Sequence, residues 1–310
     1  MRGVVARVGL VAGLVTAAAL RVCLAASAPP APHLPGGAAS YRIKLDRFVA
    51  SPNRAAGLLV KARINGGPLL SLLVDSGTQY VVVDRTAALR SHCAGGADLE
   101  MVGAGAASAT LVKHGTADNL ELGDLTLRGV PLIVSDRTLG DGIQGVLPLS
   151  IFSDFLVRLD FPAKQLDLLP YRTGEADRSA AVPVLSSNQL LFVKGTVNEA
   201  HDGYFLLDTG AAFTVISRDL ARQLHIPEIL AAHMPLRGGV AEIDAPLLSG
   251  SIRLQFASHQ PVMGPVVAVD LSTASRYHGF EISGLIGYSA LCDSVLTISY
   301  RDRVIRIRTK

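Results

Sequence analysis

Residues Leu72–Thr78, with the sequence LLVDSGT, decide how this chain is interpreted, because the pattern returns as LLDTGA at Leu206–Ala211. In both, an apolar run leads to an aspartate, a hydroxyl residue and a glycine, and a second apolar run follows at Tyr80–Val83 and Phe213–Ile216. Such runs are typical of two strands joined by a tight turn. One Asp-Thr-Gly would mean little, because Asp and Gly are common turn residues. Two copies in equivalent frames indicate a duplicated unit with an aspartate in each turn.

The spacing of other landmarks supports this duplication. Asp75 and Asp208 are 133 positions apart (208 − 75), and Phe161 and Tyr300, near the end of each copy, are 139 apart (300 − 161). Chance repetition of a tripeptide would not also repeat the flanking segments at nearly the same spacing. The second copy has therefore gained a few residues between these landmarks.

Each copy is also expected to contain one short helix after its second apolar run. The helices are predicted at residues 84–90 and 218–224, with Asp84 and Ser217 as their caps.

A stretch without bulky side chains, Met101–Ala109, follows in the first copy. It is either a plain flexible loop or the mobile tip of a hairpin, where glycine lets the backbone approach a ligand closely. The candidate residues for such a flap are Val102, Gly103, Ala104 and Gly105, with Gly238 and Gly239 in the second copy.

Composition favours a globular chain built from many strands. Of the 310 residues, 49% are hydrophobic and 18% are charged, which is typical of a chain that buries a core. Thirty glycines and sixteen prolines among short runs of Val, Leu and Ile favour strands joined by tight turns, and the length suits two domains. The net charge of +3, with no stripe of Lys and Arg and no Trp, gives no indication of a nucleic-acid partner.

The N-terminus is interpreted as a signal peptide over residues 1–28. Arg2 and Arg7 precede an apolar run, and Ala26–Ala28 offers small residues for cleavage. A retained membrane anchor is the alternative, but Arg21 ends the run short of the length that spans a bilayer. We therefore expect export to a periplasmic or extracellular location, with no stable membrane span after cleavage and a flexible leader at residues 29–40.

Cysteine and histidine give no indication of a metal or cofactor. Only Cys93 and Cys292 remain after cleavage, and export would permit a disulfide between them, although nothing in the sequence places them together. No Cys-x-x-Cys or His-Glu-x-x-His occurs, and the eight histidines are scattered. We expect neither a metal site nor a cofactor.

The paired Asp-Ser/Thr-Gly turns, together with the later segments Val146–Pro148 and Leu285–Gly287, resemble the aspartic peptidases. The resemblance covers about residues 41–310 and is greatest to two-lobed bacterial members with lobes of the retroviral type. It implies an all-β fold with two pseudo-symmetric, β-barrel-like lobes and an active site in the cleft between them. The lobes are expected at residues 41–170 and 181–310, with a linker at 171–180.

The resemblance also implies roles for the residues of the two turns. Asp75 and Asp208 would be catalytic. Ser76 and Thr209 would supply hydroxyls that hydrogen-bond across the lobe interface, and Gly77 and Gly210 would let backbone amides approach the carboxylates. Thr78 and Ala211 complete the two turns.

The chemistry of two neighbouring carboxylates agrees with this assignment. Two such groups cannot both ionise comfortably, so they share one proton. The ionised carboxylate can take a proton from water while its protonated partner donates to a substrate carbonyl. The predicted function is an aspartic endopeptidase acting on peptides or unfolded proteins, monomeric because both aspartates lie on one chain. The alternative is a weakly active or inactive peptide-binding protein that keeps the cleft.

The two copies differ at two positions that bear on the site. Thr78 has a hydroxyl that could donate to Asp75, whereas Ala211 cannot donate to Asp208, so the aspartates are expected to differ in their proton affinity. Pro148 stands where the second copy has Gly287, and a proline fixes φ and lacks an N–H, so the packing beneath Asp75 is expected to differ.

Overall fold

A computed structural model describes residues 19–20, 40–51, 54–93, 96–103, 110–139, 142–171, 181–237, 242–264 and 266–309. Most of them lie in β-strands, which confirms the prediction of an all-β fold. The predicted signal peptide and leader lie outside the described residues except for positions 19, 20 and 40, and so does the predicted linker except for Tyr171.

The strands of the first half follow the predicted order of strand, turn and strand. They are β1 (Ala19–Leu20), β2 (Tyr41–Lys44), β3 (Asp46–Ser51), β4 (Arg54–Ile64), β5 (Leu70–Asp75), β6 (Val81–Asp84), β7 (Asp98–Gly103), β8 (Thr110–Leu122), β9 (Leu125–Ser135), β10 (Gly145–Pro148), β11 (Phe155–Asp160) and β12 (Gln165–Pro170). Helix α1 (Arg85–Arg90) follows β6, and a 3₁₀ turn at Leu149–Phe152 follows β10.

The second half repeats this series with one additional helix. Its strands are β13 (Val182–Pro183), β14 (Leu185–Ser187), β15 (Leu190–Val197), β16 (His201–Leu207), β17 (Val215–Ser217), β18 (Glu228–Arg237), β19 (Glu242–Leu248), β20 (Ile252–Phe256), β21 (Val262–Met263), β22 (Val266–Val269), β23 (Ile282–Ile286), β24 (Ser294–Ser299) and β25 (Val304–Thr309). Its helices are α2 (Arg218–Gln223), α3 (Ser272–His278) and α4 (Tyr288–Leu291).

The described strands form one sheet in each half and a third sheet shared by both. The first has the order β1-β7-β8-β9-β6-β10-β5-β4-β3, and the second has the order β18-β19-β22-β17-β23-β16-β15-β20-β21 with β14 beside β15. The shared sheet has the order β13-β25-β24-β11-β12-β2. Because β24 and β11 come from different halves and pair directly, this sheet joins the two lobes.

The same strand arrangement delivers both aspartate turns. Strand β5 is parallel to β10, with Asp75 opposite Pro148, and β10 is antiparallel to β6. In the second half β16 is parallel to β23, which is antiparallel to β17. Glycine allows this close pairing, because a Cβ on Gly145 would lie 2.3 Å from the Val82 carbonyl oxygen and one on Gly284 would lie 2.3 Å from that of Val215.

The two short helices confirm the predicted caps. The Asp84 carboxylate accepts the Ala87 N–H at 2.7 Å, and the Ser217 hydroxyl accepts the Leu220 N–H at 3.0 Å. Each cap satisfies a backbone donor at the first turn, which has no partner within the helix.

The second half gained residues in the segment that contains α3. Ile133 pairs with β6 and Val267 pairs with β17, the strands that follow the two aspartate turns, so the two residues are equivalent. They are 134 positions apart (267 − 133). Gly145 and Gly284, which occupy equivalent places on β10 and β23, are 139 apart (284 − 145). Five residues were therefore gained between these pairs, and α3 lies there.

Apolar side chains from both lobes share one cluster. Leu73 and Leu206 belong to it, as do Val82 and Val215, and each pair is separated by the same 133 positions as the aspartates. Cys93 and Cys292 are free thiols. Within the described ranges, no helix is long and apolar enough to cross a membrane.

Candidate active site

The two predicted aspartates lie where the duplicated turns meet. Asp75 is the last residue of β5, and Asp208 directly follows β16, where its N–H donates to the Ile286 carbonyl at 3.0 Å. The Asp208 side chain is one of the hydrogen-bonding groups that shift the pKa of Asp75, so the two side chains are neighbours. Asp75 is 3% exposed and Asp208 is fully buried. The structure thus brings together two carboxyl groups that are 133 positions apart (208 − 75) in the sequence.

Backbone amides bind both carboxyl groups. The Gly77 N–H donates to Asp75 Oδ1 at 2.7 Å, and the Ala211 N–H donates to Asp208 Oδ1 at 2.9 Å. Gly210 lies directly against Asp75 and also hydrogen-bonds to it. A Cβ on Gly210 would lie 2.5 Å from Asp75 Cγ, so only glycine allows this approach.

Ser76 and Thr209 connect the two turns across the lobe interface. The Ser76 hydroxyl donates to the Leu207 carbonyl at 2.7 Å, and the Thr209 hydroxyl donates to the Val74 carbonyl at 3.0 Å. Each hydroxyl also accepts a backbone N–H from the opposite turn, at 3.1 Å from Thr209 and 3.0 Å from Ser76. Each side chain therefore bonds to the strand end and to the turn of the opposite half.

Burial raises the pKa of Asp75 above the usual aspartate value. Hydrogen bonds from Gly77, from the Asp208 side chain and from Gly210 lower this pKa in part. Desolvation is the largest cause, so the protonated form of Asp75 is favoured more than it would be in water.

The predicted hydrogen bond from the Thr78 hydroxyl to Asp75 is wrong. Thr78 Oγ1 is buried and has no hydrogen-bond partner among the described residues. The two carboxylates instead accept backbone N–H groups, which both turns can supply whatever the side chain after the glycine. The contrast between Thr78 and Ala211 thus gives no basis for different proton affinities.

The first lobe has Pro148 where the second has Gly287, and it also differs from the second lobe at the residue that bonds to Gly287. The Gly287 N–H donates to the Thr214 hydroxyl at 3.0 Å. The residue equivalent to Thr214 in the first copy is Val81, whose side chain has no hydrogen-bond acceptor. Pro148, equivalent to Gly287, has no N–H to donate. The first lobe therefore lacks both groups of this hydrogen bond, and neither is left unsatisfied.

The flap candidates lie at the end of a paired strand or next to one in the sequence. Val102 and Gly103 end β7, which pairs with β8, and Gly238 and Gly239 fall between the paired strands β18 and β19. Ala104, Gly105, Gly238 and Gly239 lie outside the described residues. The role of these residues as flaps stays a prediction.

Sequence reasoning missed two further features of the site. One is the bond between Thr214 and Gly287, whose partners are 73 positions apart. The other is Gln79, four residues after Asp75, whose side-chain amide donates to the Asn188 carbonyl of the other half. The contrast between Gln79 and the equivalent Ala212 was visible in the sequence, but nothing there identified its partner. Among the described residues, no group of His, Cys, Asp and Glu side chains could hold a metal ion.

Comparisons with known proteins agree with this geometry. A family model described as aspartyl protease matches residues 60–151 and 193–290, together more than half of the chain. The solved structure of an aspartic proteinase from Irpex lacteus superposes with a TM-score of 0.56 at 12% sequence identity, covering 88% of this chain and 98% of that one. A search of curated proteins found no relative of similar sequence.

Proposed function

Because the chain belongs to the aspartyl protease family, we propose that it is an aspartic endopeptidase in which Asp75 and Asp208 activate one water molecule together. The observation that carries this proposal is the meeting of two buried carboxyl groups from different lobes, where Gly210 of the second turn lies directly against Asp75 of the first. Two carboxyl groups in such contact hold one proton between them, because ionising both would place like charges side by side in a buried site.

One shared proton supplies both kinds of catalysis that peptide hydrolysis needs. The ionised carboxylate takes a proton from the water, which then attacks the carbonyl carbon of the peptide bond. The protonated carboxyl donates to the carbonyl oxygen, where negative charge develops. Collapse of the tetrahedral intermediate breaks the C–N bond. The leaving amine takes the proton of the dyad, and one hydroxyl of the intermediate returns its proton to the dyad as the carboxylic acid forms, so the dyad again holds one proton. No covalent bond forms between an aspartate and the substrate.

The hydrogen bonds around the dyad support this role by fixing its geometry. Gly77 and Ala211 each hold one carboxylate oxygen through a backbone N–H, and the Ser76 and Thr209 hydroxyls hold the strands beneath. Carboxyl groups restrained in this way need little reorganisation when the water and the peptide bind. We further propose that the substrate is an extended peptide, lying along the two hairpins like an added strand.

Proteolysis of a denatured protein tests the proposal. Digestion is measured from about pH 3 to about pH 7, with and without a statine-type inhibitor that mimics the tetrahedral intermediate. We expect cleavage that the inhibitor blocks and that both Asp75→Asn and Asp208→Asn abolish. Cleavage that survives either substitution would reject the dyad. Binding of peptides without cleavage by the unaltered chain would favour the alternative, a peptide-binding protein.

A further inference from the structure

Gln79 connects the turn that carries Asp75 to the other lobe. Its side chain is 5% exposed, and its Nε2 donates to the backbone carbonyl of Asn188. The remaining side-chain atom, Oε1, is buried and has no hydrogen-bond partner among the described residues. The Gln79 amide is thus buried, and its donor bonds to the other lobe.

The turn that receives this hydrogen bond is itself firmly held. Asn188 and Gln189 join β14 to β15 with φ of 50° and 65°, the left-handed pair that a two-residue hairpin turn requires. The Asn188 side chain donates to the Tyr277 hydroxyl at 2.8 Å, and the Ser187 hydroxyl is 2.8 Å from His278 Nδ1. Tyr277 and His278 are the last residues of α3, so α3 anchors the turn.

Helix α3 reaches the first lobe by a second route as well. It lies against β7, the strand that begins the hairpin of the first lobe. Among the described residues, the first copy has no helix between β9 and β10, the place equivalent to that of α3. The inserted helix therefore contacts the opposite lobe at its hairpin, and it reaches the Asp75 turn through Asn188 and Gln79.

The opposite side of the dyad lacks the matching side chain. The residue equivalent to Gln79 is Ala212, 133 positions later (212 − 79). An alanine side chain has no hydrogen-bonding group, so it cannot form the corresponding contact. The two sides of the pseudo-symmetric site thus differ in how firmly they are tied to the opposite lobe.

We propose that Gln79 is a positioning residue that fixes the turn of Asp75 against the second lobe, through Asn188 and the inserted helix α3. This inference rests on the proposed function. The Gly77 N–H donates to Asp75 at 2.7 Å, and Gly77 is two residues before Gln79, so a shift of the Gln79 end of the turn moves this donor. Rate in such sites is sensitive to small displacements of the reacting groups. Substrate binding depends on the wider cleft and is much less sensitive to this one contact.

The test compares the same substitution at two buried or half-buried glutamines of the first lobe. Gln79→Met keeps the length of the side chain but removes its donor. Gln144→Met is the control. The Gln144 side chain accepts the Ser71 N–H at 2.8 Å and does not bond to the turn of Asp75. We expect Gln79→Met to lower kcat about tenfold with KM nearly unchanged, and Gln144→Met to leave kcat unchanged.

A second substitution at the far end of the contact tests whether the parts act as a unit. Tyr277→Phe removes only the hydroxyl that receives Asn188. We expect it to lower kcat by a smaller factor, and the double variant with Gln79→Met to be no slower than Gln79→Met alone. Fully multiplicative losses would overturn the claim that Gln79 acts through α3.

Hydrogen exchange gives a readout that does not depend on cleavage. We expect the Gly77 amide to exchange faster in Gln79→Met than in the unaltered protein, and to be unaffected by Gln144→Met. Equal kcat and equal Gly77 protection in Gln79→Met and Gln144→Met would overturn the inference. If the unaltered protein cleaves no peptide, the proposed function fails, and the Gly77 exchange rate alone decides whether Gln79 positions the turn.

Discussion

At the scale of single residues, two hydroxyl groups hold the two halves of the site together. Ser76 and Thr209 are buried, and each one donates to a carbonyl and accepts an N–H of the opposite half. The net value of one hydrogen bond is modest, but removing a hydroxyl here leaves two buried backbone groups without a partner. The loss of stability on removing a hydroxyl therefore comes mainly from the backbone N–H and carbonyl that lose their partner.

Substitution of these hydroxyls should destabilise the fold measurably. We expect Ser76→Ala and Thr209→Val each to lower the free energy of unfolding in urea by about 1–3 kcal/mol. Ser150→Ala is the matched control, because Ser150 is 3% exposed and its hydroxyl has no hydrogen-bond partner among the described residues. This substitution leaves no backbone group without a partner, so it should lower the free energy of unfolding by less than either of the other two. Equal effects in all three variants would contradict the account of the two hydroxyls.

The raised pKa of Asp75 predicts a dependence of stability on pH. A carboxyl whose pKa is higher in the folded state binds its proton more tightly when folded, so stability is lost as pH rises from about 4 through that raised pKa. Asp75→Asn should remove this loss and be more stable than the unaltered protein at neutral pH. Urea unfolding at a series of pH values measures the slope. Asp124→Asn, at an exposed turn, should keep it, and an unchanged slope in Asp75→Asn would contradict the pKa shift.

At the scale of elements, strands β5, β6 and β10 pair around the first aspartate turn as β16, β17 and β23 pair around the second, although the residues at equivalent positions differ. In the second lobe Gly287 is required, because a Cβ there would lie 2.2 Å from the Phe213 carbonyl oxygen, and its N–H is bound by Thr214. In the first lobe Pro148 and Val81 replace this donor and acceptor together. The change at Pro148 is therefore compensated locally.

Removing only the acceptor in the second lobe should be costly. Thr214→Val makes that lobe resemble the first at one position but leaves the Gly287 N–H buried without its partner. We expect the free energy of unfolding to fall by about 1–3 kcal/mol. The reference substitution is Val81→Ala in the first lobe, which removes apolar atoms but orphans no donor. A Thr214→Val variant as stable as the unaltered protein would show that this hydrogen bond does not matter.

Helices α1 and α2 and many strands were predicted from the sequence, whereas helix α3 was not. Alternating apolar runs and the caps Asp84 and Ser217 identified strands and two helices, because those signals are local. Helix α3 was missed, since Leu271 at its start gives no side-chain cap. Gly279, with a left-handed φ of 77°, was the signal that could have marked its end. The bonds of Gln79 and Thr214 join distant parts of the chain, and no local pattern predicts such partners.

At the scale of the whole molecule, the lobes share structure at three levels. The six-stranded sheet takes strands from both halves, one apolar cluster contains side chains of both, and the aspartate turns are hydrogen-bonded to each other. The duplicated turns carried the resemblance to aspartic peptidases, and that resemblance implied that Asp75 and Asp208 face each other across the cleft. The duplication could not predict that α3 and Gln79 tie one side of the site more firmly, because a repeat describes what the halves have in common.

This sharing predicts that the two lobes unfold together. We expect one cooperative transition in urea, with coincident midpoints from far-ultraviolet circular dichroism and from the near-ultraviolet signal of tyrosine, since the chain has no Trp. Two separated transitions, or midpoints that differ between the two signals, would indicate lobes that are stable independently.

Whether Asp75 and Asp208 form one catalytic unit is decided by kcat/KM on one peptide. It is measured for Asp75→Asn, for Asp208→Asn and for the double variant. Residues that act as a unit give losses that do not multiply. We predict a loss of at least about 10³-fold for each single variant and no further loss in the double variant. A single variant that retains activity, or a double variant whose loss is the product of the two, would contradict the claim.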